Sequence, residues 1–76
     1  MEATKIKVYR NSKPVRNVKV SLEFNGVMQS GFSKSAYTNA NGVALVSHSS
    51  TGKANVWIDG KKRGTMNTPG SDVYYI

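Results

Sequence analysis

Apolar and polar residues alternate with a period of two along most of this chain. The clearest run covers residues 18–24, where every second residue is apolar. Because successive side chains of a strand point to opposite faces, this pattern predicts half-buried strands, and no stretch has the spacing of an amphipathic helix. Similar alternation occurs over residues 5–9, 54–59 and 73–76, and weaker strands are predicted at residues 33–38, 43–47 and 61–66.

Turn-forming residues separate these runs. Asn25-Gly26, Asn41-Gly42 and Asp59-Gly60 accept positive φ at low cost and therefore suit tight reversals between strands. Further bends are predicted at residues 11–14 and 68–70, which contain the two prolines. Seven short strands separated by turns predict an all-β fold, an antiparallel sandwich or a small barrel, formed by residues 1–76 as a single domain. Its predicted core consists of Ile6, Val8, Val18, Val20, Leu22, Phe24, Val56 and Ile58, together with Val46 in the register that is adopted below for residues 43–47 from a family resemblance.

Composition narrows the possible chemistry. The 76 residues include no Cys, which excludes disulfides, thiolate metal sites and a cysteine nucleophile. The longest apolar run is residues 43–46, far short of the ~20 residues of a membrane helix. The first residues have no apolar segment of the kind a signal peptide requires. We therefore expect no membrane insertion and no cofactor, and the cellular compartment stays open.

Three segments resemble carboxypeptidase regulatory-like domains. Residues 13–20 look like that family's opening motif G-x-P-V-x-G-A-x-V, and residues 38–44 resemble its T-D-x-x-G turn. Residues 52–60 are similar to a third motif of that family, the strand G-x-Y-x-V-x-V-x-G. The whole resemblance extends over residues 5–76. It implies a transthyretin-like, immunoglobulin-type sandwich and a non-catalytic module of a larger protein, which would be extracytoplasmic if this chain is a fragment or mature form of a family member.

The facing of residues 43–47 is ambiguous in the sequence. Side-chain bulk favours Val43 and Leu45 as core residues, whereas the resemblance turns Ala44 and Val46 inward. A slip of one residue exchanges the two faces of a strand, so only one arrangement is possible. We adopt the register that the resemblance implies, in which Ala44 and Val46 point into the core.

Candidate catalytic and metal-binding residues are few. His48 is the only imidazole, and a Ser/His/Asp triad with Asp59 or Asp72 is conceivable, but no nucleophile elbow accompanies it. We predict a solvated His48 in a polar turn and no enzymatic activity. The four scattered carboxylates offer no zinc cluster, and residues 39–42 lack the carboxylates of a calcium loop, so a turn explains them better.

The formal net charge of +7 raises the alternative of a small basic domain that binds nucleic acid or another polyanion. Lys61, Lys62 and Arg63 form the candidate polyanion patch, although cations on strands also protect sheet edges from aggregation. The aromatic residues do not interleave with cations on one recognisable strand pair, so only weak or non-specific nucleic-acid binding is expected. Six other cations precede residue 20: Lys5, Lys7, Arg10, Lys13, Arg16 and Lys19.

A candidate contact surface follows from the alternation. Trp57 lies between two predicted core residues and therefore points outward, as do Val43 and Leu45 in the adopted register. An exposed aromatic and aliphatic patch typically marks a contact surface. We predict that Trp57, Leu45 and Val43 together contact a protein or glycan partner, or mediate self-association.

Overall fold

The computed structural model describes residues 2–25 and 30–76, apart from the side chains of Asn25 and Ser30, and every regular element among them is a strand. The predicted turn at Asn25-Gly26 extends outside this range. No helix of the described segments is long and apolar enough to cross a membrane. The strands are β1 (Glu2–Arg10), β2 (Lys13–Pro14), β3 (Lys19–Asn25), β4 (Ser30–Phe32), β5 (Ala36–Tyr37), β6 (Val43–His48), β7 (Gly52–Ile58), β8 (Lys61–Thr68) and β9 (Ser71–Tyr75).

The strands form two sheets. In the first sheet, β1 lies between β6 and β9, and β2 pairs with the end of β1. The second sheet has the order β4-β3-β7-β8, with β5 also paired to β3. The prediction of a purely antiparallel fold is wrong, because β9 runs parallel to β1. This pairing joins the two ends of the chain, and parallel neighbours of this kind require a long crossover connection.

The strand predicted at residues 33–38 is interrupted. Pairing with β3 occurs in β4 and β5, and residues 33–35 between them are not in a strand. At this break the hydroxyl of Ser33 replaces a backbone acceptor, since the Leu22 N–H donates to Ser33 Oγ at 3.0 Å. A side chain that bonds to the backbone competes with the regular ladder and explains the interruption.

The core lies between the two sheets and largely matches the predicted set. Eight of the nine predicted residues are buried, and Val18 is only half-buried because it precedes β3. Ala44 and Val46 face inward, whereas the side chain of Leu45 is 64% exposed, which confirms the register adopted for β6. The buried apolar residues are Ile6, Val8, Val20, Leu22, Phe24, Ala44, Val46, Ala54, Val56 and Ile58.

Residues 38–42 form a tight turn that brings β5 to β6. Asn39 Oδ1 accepts the backbone N–H groups of Asn41 at 2.9 Å and Val43 at 3.1 Å, as Asn side chains do in turns. Gly42 has a φ of 74°, and a Cβ there would lie 2.7 Å from the carbonyl oxygen of Val8. The Asn39 side chain is thus occupied by the backbone, in agreement with the turn predicted for this segment.

Candidate functional site

The three residues of the predicted contact surface lie in different sheets. Trp57 is in β7 of the second sheet, and Val43 and Leu45 are in β6 of the first. The outward sides of two packed sheets are opposite faces of a sandwich, so these side chains do not form one patch. The predicted grouping is corrected because β6 and β7, although adjacent in sequence, cross from one sheet to the other.

Trp57 instead has its own polar partners on the outer side of the second sheet. Its indole Nε1–H donates to Glu23 Oε1 at 2.9 Å. The side-chain amide of Asn55 donates to the same oxygen at 3.1 Å. These bonds hold the indole in place on what we call the Trp57 face, the outward side chains of Lys19, Ser21, Glu23, Phe32, Tyr37, Asn55, Trp57 and Lys62.

Two exposed aromatic rings accompany Trp57 on this face. Phe32 is 58% exposed and contacts the indole edge-to-face, with ring centroids 5.7 Å apart. Tyr37 is 63% exposed beside Lys19. The short side chain of Ser21 is buried under this group, which leaves a hollow of about 290 Å³ lined by Lys19, Ser21, Phe32, Ser35, Trp57 and Gly60.

The Glu23 carboxylate is held in its ionised form. The hydrogen bonds from Trp57 and Asn55, together with the nearby ammonium group of Lys62, lower the pKa of Glu23. The face therefore presents a fixed carboxylate between aromatic rings, with cations at its border. Such an arrangement accepts hydrogen bonds from hydroxyl groups and repels phosphate oxygens.

The predicted polyanion patch borders the Trp57 face. Lys61, Lys62 and Arg63 are all exposed at the start of β8, and Lys62 is the register partner of Trp57. The register shifts at this point, because Val56 pairs with Gly64 and Arg63 has no partner in the ladder. This bulge and these charges occur on an edge strand, where both features protect against strand addition.

The outer side of the first sheet carries a second aromatic and cationic group, which sequence reasoning missed. Tyr9 and Tyr75 are register partners, and their rings stack with centroids 5.8 Å apart. Lys7 precedes this pair on β1 and lies between Val43 and Val73. The pair of β1 and β9 thus carries both lysines and tyrosines, although along β1 the lysines precede Tyr9 and do not interleave with aromatic residues. We call these outward side chains the Tyr75 face: Lys5, Lys7, Tyr9, Pro14, Val43, Leu45, Ser71, Val73 and Tyr75.

His48 is buried, and the prediction of a solvated turn is wrong. Its ring is 5% exposed and packs against Phe24, with ring centroids 5.5 Å apart. His48 Nδ1 lies 2.6 Å from the Ser50 carbonyl oxygen, which only accepts, so Nδ1 carries a proton. Nε2 lies 2.7 Å from the hydroxyl of the buried Thr4. The alternation itself carried this signal, since His48 continues the inward series of Ala44 and Val46.

The surroundings of His48 do not assemble the conceivable triad. Both ring nitrogens are engaged by Thr4 and Ser50, and Asp72 accepts the N–H of its own neighbour, Val73. Asp59 lies in the turn between β7 and β8 with a φ of 55°. Beside the imidazole is an open cleft of about 490 Å³, lined by Phe24, Gly31, Phe32, Ser33, Lys34, Ser47, His48, Ser49 and Ser50.

No group of three or more His, Cys, Asp or Glu side chains comes together as potential metal ligands within residues 2–25 and 30–76. Comparison of the chain with protein-family models, with curated proteins and with solved structures finds no match. Functional inference therefore depends on the two outer faces of the sandwich.

Proposed function

We propose that this chain is a non-catalytic binding module that holds a glycan on the Trp57 face. The observation that carries the proposal is the fixed indole of Trp57, bonded to Glu23 and flanked by the exposed ring of Phe32. The hollow between them combines an aromatic wall with a small number of oriented polar groups, which is the usual composition of a ligand site.

A glycan fits the chemistry of this face. The C–H faces of a sugar ring are apolar and pack on aromatic rings, while the hydroxyl groups at its edge need hydrogen-bond partners. Glu23 supplies a charged acceptor, and the ammonium groups of Lys19 and Lys62 supply donors at the border. Trp57 itself is already ordered by Glu23, so binding costs little side-chain entropy.

Nucleic acid fits this particular face less well. The ionised Glu23 lies at its centre, where a phosphate backbone would meet repulsion. The bordering Lys61, Lys62 and Arg63 attract polyanions through charge alone, in a manner that weakens with salt. A protein partner or self-association through the same aromatic group is the outcome that the experiment below distinguishes from glycan binding.

We further propose that the fold is the seven-stranded, transthyretin-like sandwich implied by the resemblance to carboxypeptidase regulatory-like domains. A count of seven follows if β4 and β5 are treated as one interrupted strand and the two-residue β2 is omitted. The resemblance is supported by the turn at residues 38–44, whose Thr38 hydroxyl accepts the Val18 N–H at 3.0 Å. These motif residues have structural roles, so they support the fold more than a particular ligand.

The proposal excludes catalysis by His48. Its two nitrogens are engaged by Thr4 and the Ser50 carbonyl, so a proton transfer would first have to break a buried hydrogen bond. A general base also needs an unoccupied nitrogen within reach of its substrate. We assign this imidazole to the stability of the sandwich.

The test is a screen of the labelled chain against an array of oligosaccharides, followed by titration of the strongest hit. The chain has a single Trp, so the emission of Trp57 reports directly on its own surroundings. We expect the hit to shift or quench this emission. Trp57→Ala, which has no Trp and is therefore followed through its label on the array, should lose binding. Leu45→Ala is the matched control, because Leu45 is equally outward but lies on the opposite face.

Two results would contradict the proposal. The first is that the folded wild-type chain shows no change in the emission of Trp57 with any oligosaccharide of the array. The second is equal loss of binding in Trp57→Ala and Leu45→Ala. If sedimentation instead gives a dimer that Trp57→Ala dissociates, the face mediates self-association and the glycan proposal is wrong.

A further inference from the structure

We propose that the Tyr75 face, on the sheet opposite Trp57, is a separate binding site for single-stranded nucleic acid. It combines a stacked pair of tyrosines with two lysines on the central strand of its sheet. Neither its location nor its ligand class depends on the glycan proposal, because the two faces belong to different sheets.

The register of the first sheet arranges this face in rows. Tyr75 and Pro14 flank Tyr9 in one row, and Val43 and Val73 flank Lys7 in the next. Tyr75 is 73% exposed, so one side of the stacked pair is open to a further ring. A base that has left its own helical stack can extend this pair, and such stacking does not depend on base identity.

The charges of the face match a phosphate backbone. Its nine side chains include Lys5 and Lys7 and no carboxylate, in contrast to the Trp57 face with its central Glu23. Beyond Tyr9, the strand continues to Arg10, which pairs with Lys13 across the β1–β2 hairpin. On the Tyr75 face itself, Lys5 and Lys7 form one line along β1 that leads to the tyrosine stack, as a single strand would track them, while Arg10 and Lys13 add positive charge at the end of the strand but point to its other side.

A single strand accounts for these features better than other polyanions. A duplex hides its bases from a flat sheet face, and a sulfated glycan has no aromatic bases, since its sugar rings carry charged, strongly hydrated groups in place of a flat aromatic surface. Both would use the lysines alone. The contribution of the tyrosine ring thus separates a single-stranded nucleic acid from attraction by charge.

The test uses fluorescence anisotropy of a labelled oligothymidylate of about 12 nucleotides, within the range of site sizes of such proteins. Affinity is measured between about 50 and 200 mM salt. We expect Tyr75→Ala to weaken binding by about 5- to 150-fold, the range of one lost base stack, and Tyr75→Phe to retain it. Lys7→Gln should reduce the slope of log affinity against log salt by about 0.7, which corresponds to one lost phosphate contact.

Lys53→Gln is the matched control, since it removes the same charge from an exposed position on β7 of the opposite sheet, outside both faces and the polyanion patch, and should leave the slope unchanged. A heparin oligosaccharide is the second probe, and Tyr75→Ala should not alter its affinity. The proposal is overturned if Tyr75→Ala, with an unchanged melting temperature, binds oligothymidylate like the wild type. It is equally overturned if Lys7→Gln and Lys53→Gln have the same effect, because charge alone then explains the binding.

Discussion

Replacing His48 with alanine removes a buried ring together with both of its hydrogen bonds. Thr4 is fully buried, and its hydroxyl loses its contact with Nε2. A buried polar group left without a partner costs about 1–3 kcal/mol of unfolding free energy. The Ser50 carbonyl lies beside the open cleft, where water can replace the imidazole, so its contribution is smaller.

The lost ring also removes one of the contacts of Phe24, the ring that packs against it on the side of the cleft. Part of that space opens to the cleft and fills with water, which limits the penalty for a cavity. We therefore expect His48→Ala to destabilise the fold by about 2–4 kcal/mol in total. For a chain of 76 residues this is a large share of a stability of roughly 4–11 kcal/mol.

Urea unfolding, followed both by the emission of Trp57 and by circular dichroism, measures this loss. Ser49→Ala is the control, because Ser49 is exposed next to His48 and should remain within about 0.5 kcal/mol of the wild type. In a Thr4→Val background no hydroxyl is left unsatisfied. His48→Ala should therefore lower the unfolding free energy by at least about 1 kcal/mol less in this background than in the wild type. A His48→Ala variant as stable as Ser49→Ala would refute the buried role of this imidazole.

Three further predictions concern the core, the turn before β6 and the stability of the fold at alkaline pH. Leu22→Ala should cost about 2–5 kcal/mol in urea unfolding, because Leu22 is fully buried between the sheets. Gly42→Ala should destabilise more than Gly60→Ala: both glycines have positive φ, but only at Gly42 would the added Cβ collide with Val8 and Pro14. Burial and the negative charge of Asp72 raise the pKa of Tyr74 from 10.0 to about 12. The unfolded chain therefore loses this proton first, and the unfolding free energy should fall as pH rises from 10 to 12, less steeply in Tyr74→Phe.

Each of these predictions has a contrary result. A Leu22→Ala variant that melts within a few degrees of the wild type would remove Leu22 from the core. Equal losses in Gly42→Ala and Gly60→Ala would mean that backbone strain alone, without the collision, sets the cost. Parallel stability profiles of the wild type and Tyr74→Phe above pH 10 would show that the Tyr74 phenol is not linked to folding.

Which residues of a strand point into the core was predictable from the sequence, because apolar and polar residues alternate along the strand. The inward positions of β1, β3 and β7 were identified in this way, and the resemblance resolved the facing of β6. The same rule extends to His48, two residues after Val46, but a run of serines around it favoured a turn. For His48, the alternation of inward and outward positions along β6 is thus a better guide to burial than the polarity of the neighbouring serines.

Sheet membership was not predictable, since alternation does not say which strand lies next to which. The parallel pairing of β9 with β1 joins residues from the two ends of the chain, and only this pairing creates the Tyr9–Tyr75 stack. The crossing from β6 to β7 likewise separated Leu45 from Trp57. The partners of Trp57, namely Glu23 and Phe32, follow from non-local contacts of β3 that no local pattern contains.

We propose above that the Trp57 face holds a glycan, and the indole itself can report on this. Because the chain contains one Trp, its indole Nε1–H gives a single nitrogen–proton resonance. Titration of the isotope-labelled chain with the oligosaccharide selected on the array is the most direct test. We predict a saturable shift of this indole signal, because the ligand would pack against the ring that donates to Glu23, with the Tyr75 ring signals unchanged. An indole signal that stays in place while the oligosaccharide binds, or that moves only together with the Tyr75 ring, would contradict the claim.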